Sequence, residues 1–287
     1  MPTRKNLVES FSSSADKISK IHSCLKQDFP CSSGHKHGYS LRINCGGPEA
    51  VINDTNYVSD LESRGASLFY SGPNWALSST GNFMDTDIDG DLYRITNTSP
   101  LSNINGSFEE IYRTARVSPL SLTYYGLCLL NGNYSVKLHF AEIVFSNDSS
   151  FNSLGRRVFD VYIQGKMVLK DFDIAKDAGG AGRAIVKSFN VIVNKHTLKI
   201  HLYWAGKGTT GIPVRGVYGP LISAISVDPN FIPPSPKAKK SYVILVAGVL
   251  AASLLFVLVA FIGLRRKGYL GGKLYEEKGN STPQTCS

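Results

Sequence analysis

The residues of this 287-residue chain that could do chemistry are aromatic rings and carboxylates placed near turns. Fourteen tyrosines are present, two of them adjacent as Tyr124-Tyr125; Trp75 lies in SGPNWALSSTG, and Lys170-Asp171-Phe172-Asp173-Ile174 makes an acidic turn. Aromatic faces cover the apolar C–H surfaces of sugars while carboxylates accept hydrogen bonds from hydroxyls. Tyr124, Tyr125, Asp171 and Asp173 are therefore candidate carbohydrate contacts on loops. The competing account of the same tyrosines is that they are half-buried residues of a β-sandwich.

Other motifs do not complete. Asp85-x-Asp87-x-Asp89-Gly90 copies the first half of a Ca²⁺ loop, but the twelfth position is Thr96 instead of a bidentate Glu, so an acidic surface loop is expected. Gly180-Ala181-Gly182 has the first two glycines of a dinucleotide fingerprint without the third or a following crossover helix. Cys24, Cys31, His35 and His37 match no common zinc-finger spacing. Gly-x-Ser-x-Gly does not occur, and Glu109-Glu110 would point to opposite sides of a strand, which makes them a poor acid/base pair. No metal, cofactor or catalytic residue is expected.

Loops of this kind need a scaffold, and the scaffold reads as β. Residues 133–145 (NYSVKLHFAEIVF) alternate Tyr134, Val136, Leu138 and Phe140 against Ser135, Lys137, His139 and Ala141. Arg157–Ile163 and Met167–Phe172 flank Gln164-Gly165, a hairpin turn; Phe189–Val193 and Thr197–Trp204 repeat the pattern around Asn194-Lys195; Leu221–Val227 closes the series. With no long amphipathic helix in this stretch, the expected class is all-β, an antiparallel β-sandwich over residues 41–228.

The flanks differ in kind. Residues 1–40 are Ser- and Lys-rich and read as a linker or the end of a larger ectodomain, and residues 229–241 form a Pro/Lys stalk. Residues 242–264 hold 23 residues without a charge, edged by Lys237, Lys239 and Lys240 before and Arg265, Arg266 and Lys267 after, which predicts one transmembrane helix. Residues 265–287 are a short tail. The formal net charge of +9 divides into +3 for residues 1–40, 0 for 41–228 and +6 for 229–287, so the positive charge marks the flanks and no nucleic-acid partner is expected. The excess of Lys and Arg after the span places the C-terminus in the cytoplasm, a single-pass type I topology. Residues 6–17 are too polar for a signal-peptide core, which leaves targeting to the membrane helix or to a start further upstream.

Sequons at Asn53, Asn97, Asn105, Asn133 and Asn147 precede the span, as expected of an extracellular glycoprotein. Cys24, Cys31, Cys45 and Cys128 also precede it and admit three pairings, of which a local Cys24–Cys31 loop with a longer Cys45–Cys128 bridge is the expected one; Cys286 stands alone in the tail.

Four ordered blocks carry a family resemblance: LRINCGG at 41–47, IYRTARVSPLSLTYYGLCLLNGNYSVKLHFAEI at 111–143, RRVFDVYIQGKMVLKDFDI at 156–174 and LYWAGKGTTGIPVRGVYGPLISAISVDPNF at 202–231. Together they resemble a malectin domain, more narrowly that of plant leucine-rich-repeat receptor-like serine/threonine kinases, over residues 24 to about 267. The resemblance implies a malectin-like sandwich of jelly-roll type at the plasma membrane, its partners an oligosaccharide or cell-wall glycan or a co-receptor ectodomain. Family order is signal peptide, leucine-rich repeats, malectin domain, transmembrane helix and kinase. This sequence keeps the third and fourth parts and has no kinase motifs after the span, so it resembles a receptor without either end and no enzyme is expected. Animal malectin binds a diglucose-terminated N-glycan between aromatic side chains and an Asp. Carried across, Tyr57 in DTNYVSD corresponds to a binding tyrosine, Tyr124 and Tyr125 to the aromatic pair, and Asp173, with Asp171 beside it, to the aspartate. Residues 71–107 form an insertion that could reshape the cleft.

Overall fold

Apolar alternation resolves into fifteen strands in a computed structural model of the chain, which describes residues 37–61, 67–83, 93–104, 106–213, 215–233 and 242–267. The first sheet holds β1 (Leu41–Asn44), β2 (Ala50–Ile52), β3 (Thr55–Ser59), β9 (Gly132–Ala141), β12 (Ala184–Val193) and β15 (Ala224–Pro229), in the order β12-β9-β15-β1-β3-β2. The second holds β4 (Phe69–Ser71), β5 (Trp75–Thr80), β8 (Ser121–Leu127), β10 (Phe159–Ile163), β11 (Lys166–Phe172) and β13 (Thr197–Tyr203), in the order β11-β10-β13-β8-β5-β4. A third, β14-β7-β6, joins Leu221–Ile222 (β14) and Arg94–Thr96 (β6) to Thr114–Val117 (β7). Among the described residues all strand pairings are antiparallel except β1 with β3, and one isolated parallel bridge joins Gly38 to Leu129.

The two large sheets meet through side chains of one parity. Phe140 of β9 lies 6.1 Å from Phe159 of β10 and 4.9 Å from Phe172 of β11, ring centre to ring centre. These distances suit edge and tilted aromatic packing between the inner faces of a sandwich. At the β10–β11 turn, Gln164 (φ 51°) and Gly165 (φ 77°) both take the left-handed conformation that a tight two-residue hairpin requires.

Three expectations are corrected. Asn194-Lys195 is no hairpin turn: β12 pairs with β9 in the first sheet while β13 pairs with β8 and β10 in the second, so this turn carries the chain between layers. The closing strand is two strands, broken at Ser223, because β14 pairs with β7 whereas β15 runs between β1 and β9. The Cys45–Cys128 bridge does not form. Cys45 is a free, buried thiol, and Cys128 is disulfide-bonded to a cysteine outside the described residues. Cys24 and Cys31, like the Asp85–Gly90 loop, lie outside those residues.

Asp60, just after β3, is 0% exposed and sits against Arg116 of β7, itself 1% exposed. The guanidinium grips the carboxylate twice, Nε to Oδ2 at 2.7 Å and Nη2 to Oδ1 at 2.7 Å, and donates again to the Asp60 carbonyl at 3.0 Å. Tyr124 Oη donates to Oδ2 at 2.6 Å and the Gly46 amide at 3.1 Å, so one carboxylate ties together β3, β7, β8 and the end of β1. Burial lowers the Arg116 pKa, but the charge of Asp60 and its hydrogen bonds outweigh this and raise it overall. Burial and the same carboxylate push the Tyr124 phenol well up, and burial likewise raises the Cys45 thiol.

A separate C-terminal unit contains the helix Tyr242–Arg266, 25 residues or about 38 Å at 1.5 Å per residue. It is the one helix among the described residues long and apolar enough to cross a membrane.

Removing one half of a fully buried pair strands the other, a change costing about 3–5 kcal/mol. Arg116→Ala is therefore expected to lower the thermal midpoint sharply, whereas the double variant Asp60→Leu/Arg116→Met is expected to recover most of it. Thermal unfolding of the full chain in detergent micelles measures both, and a mild single-variant effect would remove this pair from its structural role.

Candidate functional site

The expected sugar-binding tyrosines are interior residues. Successive residues of a strand point to opposite faces, so Tyr124 and Tyr125 on β8 cannot act as one aromatic clamp. Tyr124, 1% exposed, points inward to Asp60, while Tyr125, 5% exposed, packs on the other face with Ala76, Leu127 and Cys128. Tyr57, 5% exposed, is hydrogen-bonded to Ser226, Oη to Oγ 2.9 Å. A ring that stacks on sugar must show a face to solvent, and these three do not.

Tyr57 belongs to a buried hydrogen-bonded chain. Ser226 Oγ is 2.9 Å from His139 Nε2, and His139 Nδ1 is 2.8 Å from the Tyr112 hydroxyl. Tyr112 ends the 3-10 turn Gly106–Tyr112, which packs against β9 and so buries the imidazole. Burial, with the nearby charge of Lys137 adding to it, lowers the His139 pKa to about 4; burial raises that of Tyr112.

The acidic turn also has structural employment. Asp173 caps the helix Ile174–Ala178, its Oδ1 accepting from the Lys176 amide at 3.1 Å, while Oδ2 accepts from Arg156 Nε at 2.9 Å. Asp171 faces solvent on a left-handed backbone (φ 50°), paired with Lys207 at 2.5 Å; that hydrogen bond lowers its pKa. The structure brings neither carboxylate together with Tyr57, Tyr124 or Tyr125.

What it does assemble is a cleft of about 490 Å³ at the junction of the first and third sheets, within the roughly 300–1,000 Å³ span of small-ligand sites. Its floor is Asn44, Gly46 and Thr114, all buried; its rim is Pro48, Leu61, Thr96, Glu110 and Arg113, all exposed, with Arg94 half-buried between. The floor is rigid for identifiable reasons. Thr114 Oγ1 donates to Asn44 Oδ1 at 3.2 Å and Asn44 Nδ2 to the Pro48 carbonyl at 2.8 Å. A Cβ on Gly47 would stand 2.3 Å from Thr114 Oγ1, and one on Gly46 (φ 71°) 2.7 Å from the Ala115 carbonyl oxygen, so both positions require glycine. Asp60 holds the Gly46 amide from behind and also accepts from Tyr124, which places that tyrosine one layer beneath the cleft.

Sequence reasoning passed over the cleft residues. Asn44 and Gly46 lie in the LRINCGG block, whose Gly-Gly pair was the available signal. Arg94 and Thr96 come from the 71–107 stretch, and Glu110, Arg113 and Thr114 from the segment that leads into β7, so no local pattern joins them to Asn44 and Gly46. Among the described residues no group of His, Cys, Asp and Glu is arranged to hold a metal.

The unfolded chain takes up a proton on His139 below about pH 6.5 but the folded chain only near pH 4, so the stability given by the neutral ring is complete above pH 6.5 and declines as pH falls. Unfolding of the full chain at pH 7 and pH 5 is expected to differ by about 2 kcal/mol more than in His139→Gln. Equal differences in the two proteins would contradict a buried neutral imidazole.

Comparison with known proteins places these features. A probable LRR receptor-like serine/threonine-protein kinase of Arabidopsis thaliana is 53% identical over 269 residues, 91% of this chain and 26% of the relative. A second from the same plant is 48% identical over 275 residues, 95% of this chain and 26% of the relative. The chain thus spans about a quarter of the length of these relatives, and their kinase domain lies outside the matched stretch. Among solved structures, the ANX2 ectodomain from Arabidopsis thaliana is 15% identical with a TM-score of 0.45, over 69% of this chain and 52% of that one. The Malectin domain family matches residues 39–225, well over half of the sequence, and the chain belongs to that family.

Proposed function

We propose that the chain is the recognition module of a single-pass, type I cell-surface receptor at the plasma membrane, its malectin domain outside the cell and binding a glucose-containing or cell-wall oligosaccharide. The observation that carries the reading is the cleft: a depression with a mostly apolar lining and polar groups at its rim, its floor fixed by hydrogen bonds and obligatory glycines, on a domain of a family that the relatives' names connect with receptor kinases. Saccharide hydroxyls would be met by Thr96 and Glu110 at the rim. The helix Tyr242–Arg266, followed by Lys267, supports attachment to a membrane with basic residues on the cytoplasmic side.

A second reading has its own observation. Phe151 and Leu154 are 58% and 64% exposed on a 3-10 turn, Phe151–Leu154, reached through a loop in which Asp148 accepts from the Ser146 hydroxyl and the Ser150 amide. An ordered loop that displays two large apolar side chains suits a co-receptor ectodomain, with the sandwich acting as a protein-docking module.

Glycans would sit where sequon amides are open. Asn53, Asn133 and Asn147 are exposed, and Asn105 lies outside the described residues. Asn97 is half-buried, its Nδ2 donating to the Ile143 carbonyl at 3.0 Å. Glycopeptide mass spectrometry of the plant-expressed chain is expected to find Asn53, Asn133 and Asn147 occupied and Asn97 bare; the reverse pattern would contradict this assignment.

An oligosaccharide array probed with the full chain in detergent micelles tests the main reading. Retention of wall-type oligosaccharides is expected, weakened at least tenfold by Thr96→Trp, which fills the cleft, and unchanged by Tyr203→Phe on the second sheet. Binding of no oligosaccharide would leave the protein-docking reading in its place.

A further inference from the structure

Six strands lie at the margins of the three sheets, and five of them have features that discourage pairing with another chain. β2, β4 and β6 are three residues long and β14 two, while β11 is broken by register shifts against β10 and bears Lys166, Lys170 and Asp171. β12 differs. It runs ten residues, keeps an unbroken register with β9 from Ala184↔Ala141 to Val193↔Gly132, and contains no proline. Its single charge, Lys187, is bound to Asp177 at 2.6 Å. The neighbours show which backbone groups of β12 face outward. The His139 carbonyl accepts from the Ser223 amide at 3.0 Å and the Asn133 carbonyl from the Asn230 amide at 2.8 Å, so these two residues of β9 turn away from β12. Their cross-strand partners Val186 and Ile192 therefore turn outward, and by parity so do Ser188 and Asn190. Asn103 agrees with this: its side-chain amide exchanges both hydrogen bonds with the Ala184 backbone, at 2.7 and 2.8 Å, as an adjoining strand would. Past Ala184 no backbone group among the described residues meets this edge.

We infer that β12 pairs with the β12 of a second copy of this chain, antiparallel about a two-fold axis at Phe189, and so joins two sandwiches through one continuous sheet. The side-chain pattern is what names the occupant. On the outer face the outward-turned residues read Val186, Ser188, Asn190 and Ile192, an order that is its own complement when reversed. Val186 then stands opposite the second copy's Ile192, and Ser188 opposite its Asn190. Val186 and Ile192, 43% and 71% exposed, cover each other, and no like charges are set opposite within the strand. Phe189, at the axis, turns its backbone to β9, so the flanking residues supply about eight new backbone hydrogen bonds. The ladder also has a defined end. Asn103 occupies the place opposite Ala184 that the residue after the second copy's Val193 would take, and β12 itself stops at Val193. The inference does not depend on the carbohydrate reading.

Sedimentation equilibrium of the full chain in density-matched detergent micelles tests this. N-glycans are first trimmed to the core sugar, because the sequon residue Asn133 pairs with Ile192 from β9. A monomer–dimer equilibrium is expected. Ile192→Lys, at an exposed position where the fold does not depend on the side chain, is expected to weaken dimerisation at least tenfold. Ser188→Pro removes only an outward N–H, so it is expected to do the same with little change in the thermal midpoint. Mixing the Ile192→Lys chain with a Val186→Glu chain sets opposite charges across the axis and is expected to recover most of the lost affinity. A chain that stays monomeric at the highest loading overturns the proposal. So does a dimer that withstands both Ile192→Lys and Ser188→Pro, as association through the membrane helix would, and so does a mixture that shows no recovery.

Discussion

The buried Arg116–Asp60 pair is the constraint on which the architecture turns. It links the end of β3 in the first sheet to β7 of the third, and through Tyr124 to β8 of the second, at one carboxylate with no access to water. Desolvating two charges is costly, and that cost is offset only when every lone pair and donor is well placed. Here the carboxylate accepts from a guanidinium, a phenol and a backbone amide. The last of these, from Gly46, is part of the cleft floor, so the interaction that joins the sheets also sets the shape of the surface.

A second buried pair uses the same device elsewhere. Glu142, following β9, accepts from Arg157 Nε at 2.8 Å and from the Val144 amide at 3.1 Å, and Arg157 reaches the Gly219 carbonyl at 2.8 Å. It fastens the loops after β9 and before β14 to the start of β10. Long loops between short strands would otherwise have little to order them, because their backbone groups lack a ladder. Polar groups in the interior thus do the positioning that aromatic residues do between the sheets.

Much of the scaffold was legible. The period-two pattern of residues 133–145 identified β9, and Gln164-Gly165 identified the β10–β11 hairpin, because strand parity and turn conformation are local properties. The same parity puts Tyr124 and Tyr125 on opposite faces of β8, so they do not form the aromatic pair that the family resemblance implies. Which sheet each strand joins is not local: the hydrophobic pattern around Asn194-Lys195 is the same for a hairpin and for a step between layers. Counting cysteines cannot choose among pairings: Cys45 and Cys128 are both buried, yet Cys45 is a free thiol and Cys128 is bridged. The cleft was illegible because its residues come from four separate stretches joined only by sheet pairing and by Asp60, which has no motif of its own.

The account's central claim is that recognition takes place in this cleft and not on the acidic turn or the apolar loop. Hydrogen–deuterium exchange of the full chain in nanodiscs, with and without a saturating mixture of wall oligosaccharides, locates the contact directly. The account predicts added protection in residues 44–48, 94–97 and 109–114. Protection confined to residues 150–155 or 170–177, or none at all, would contradict it.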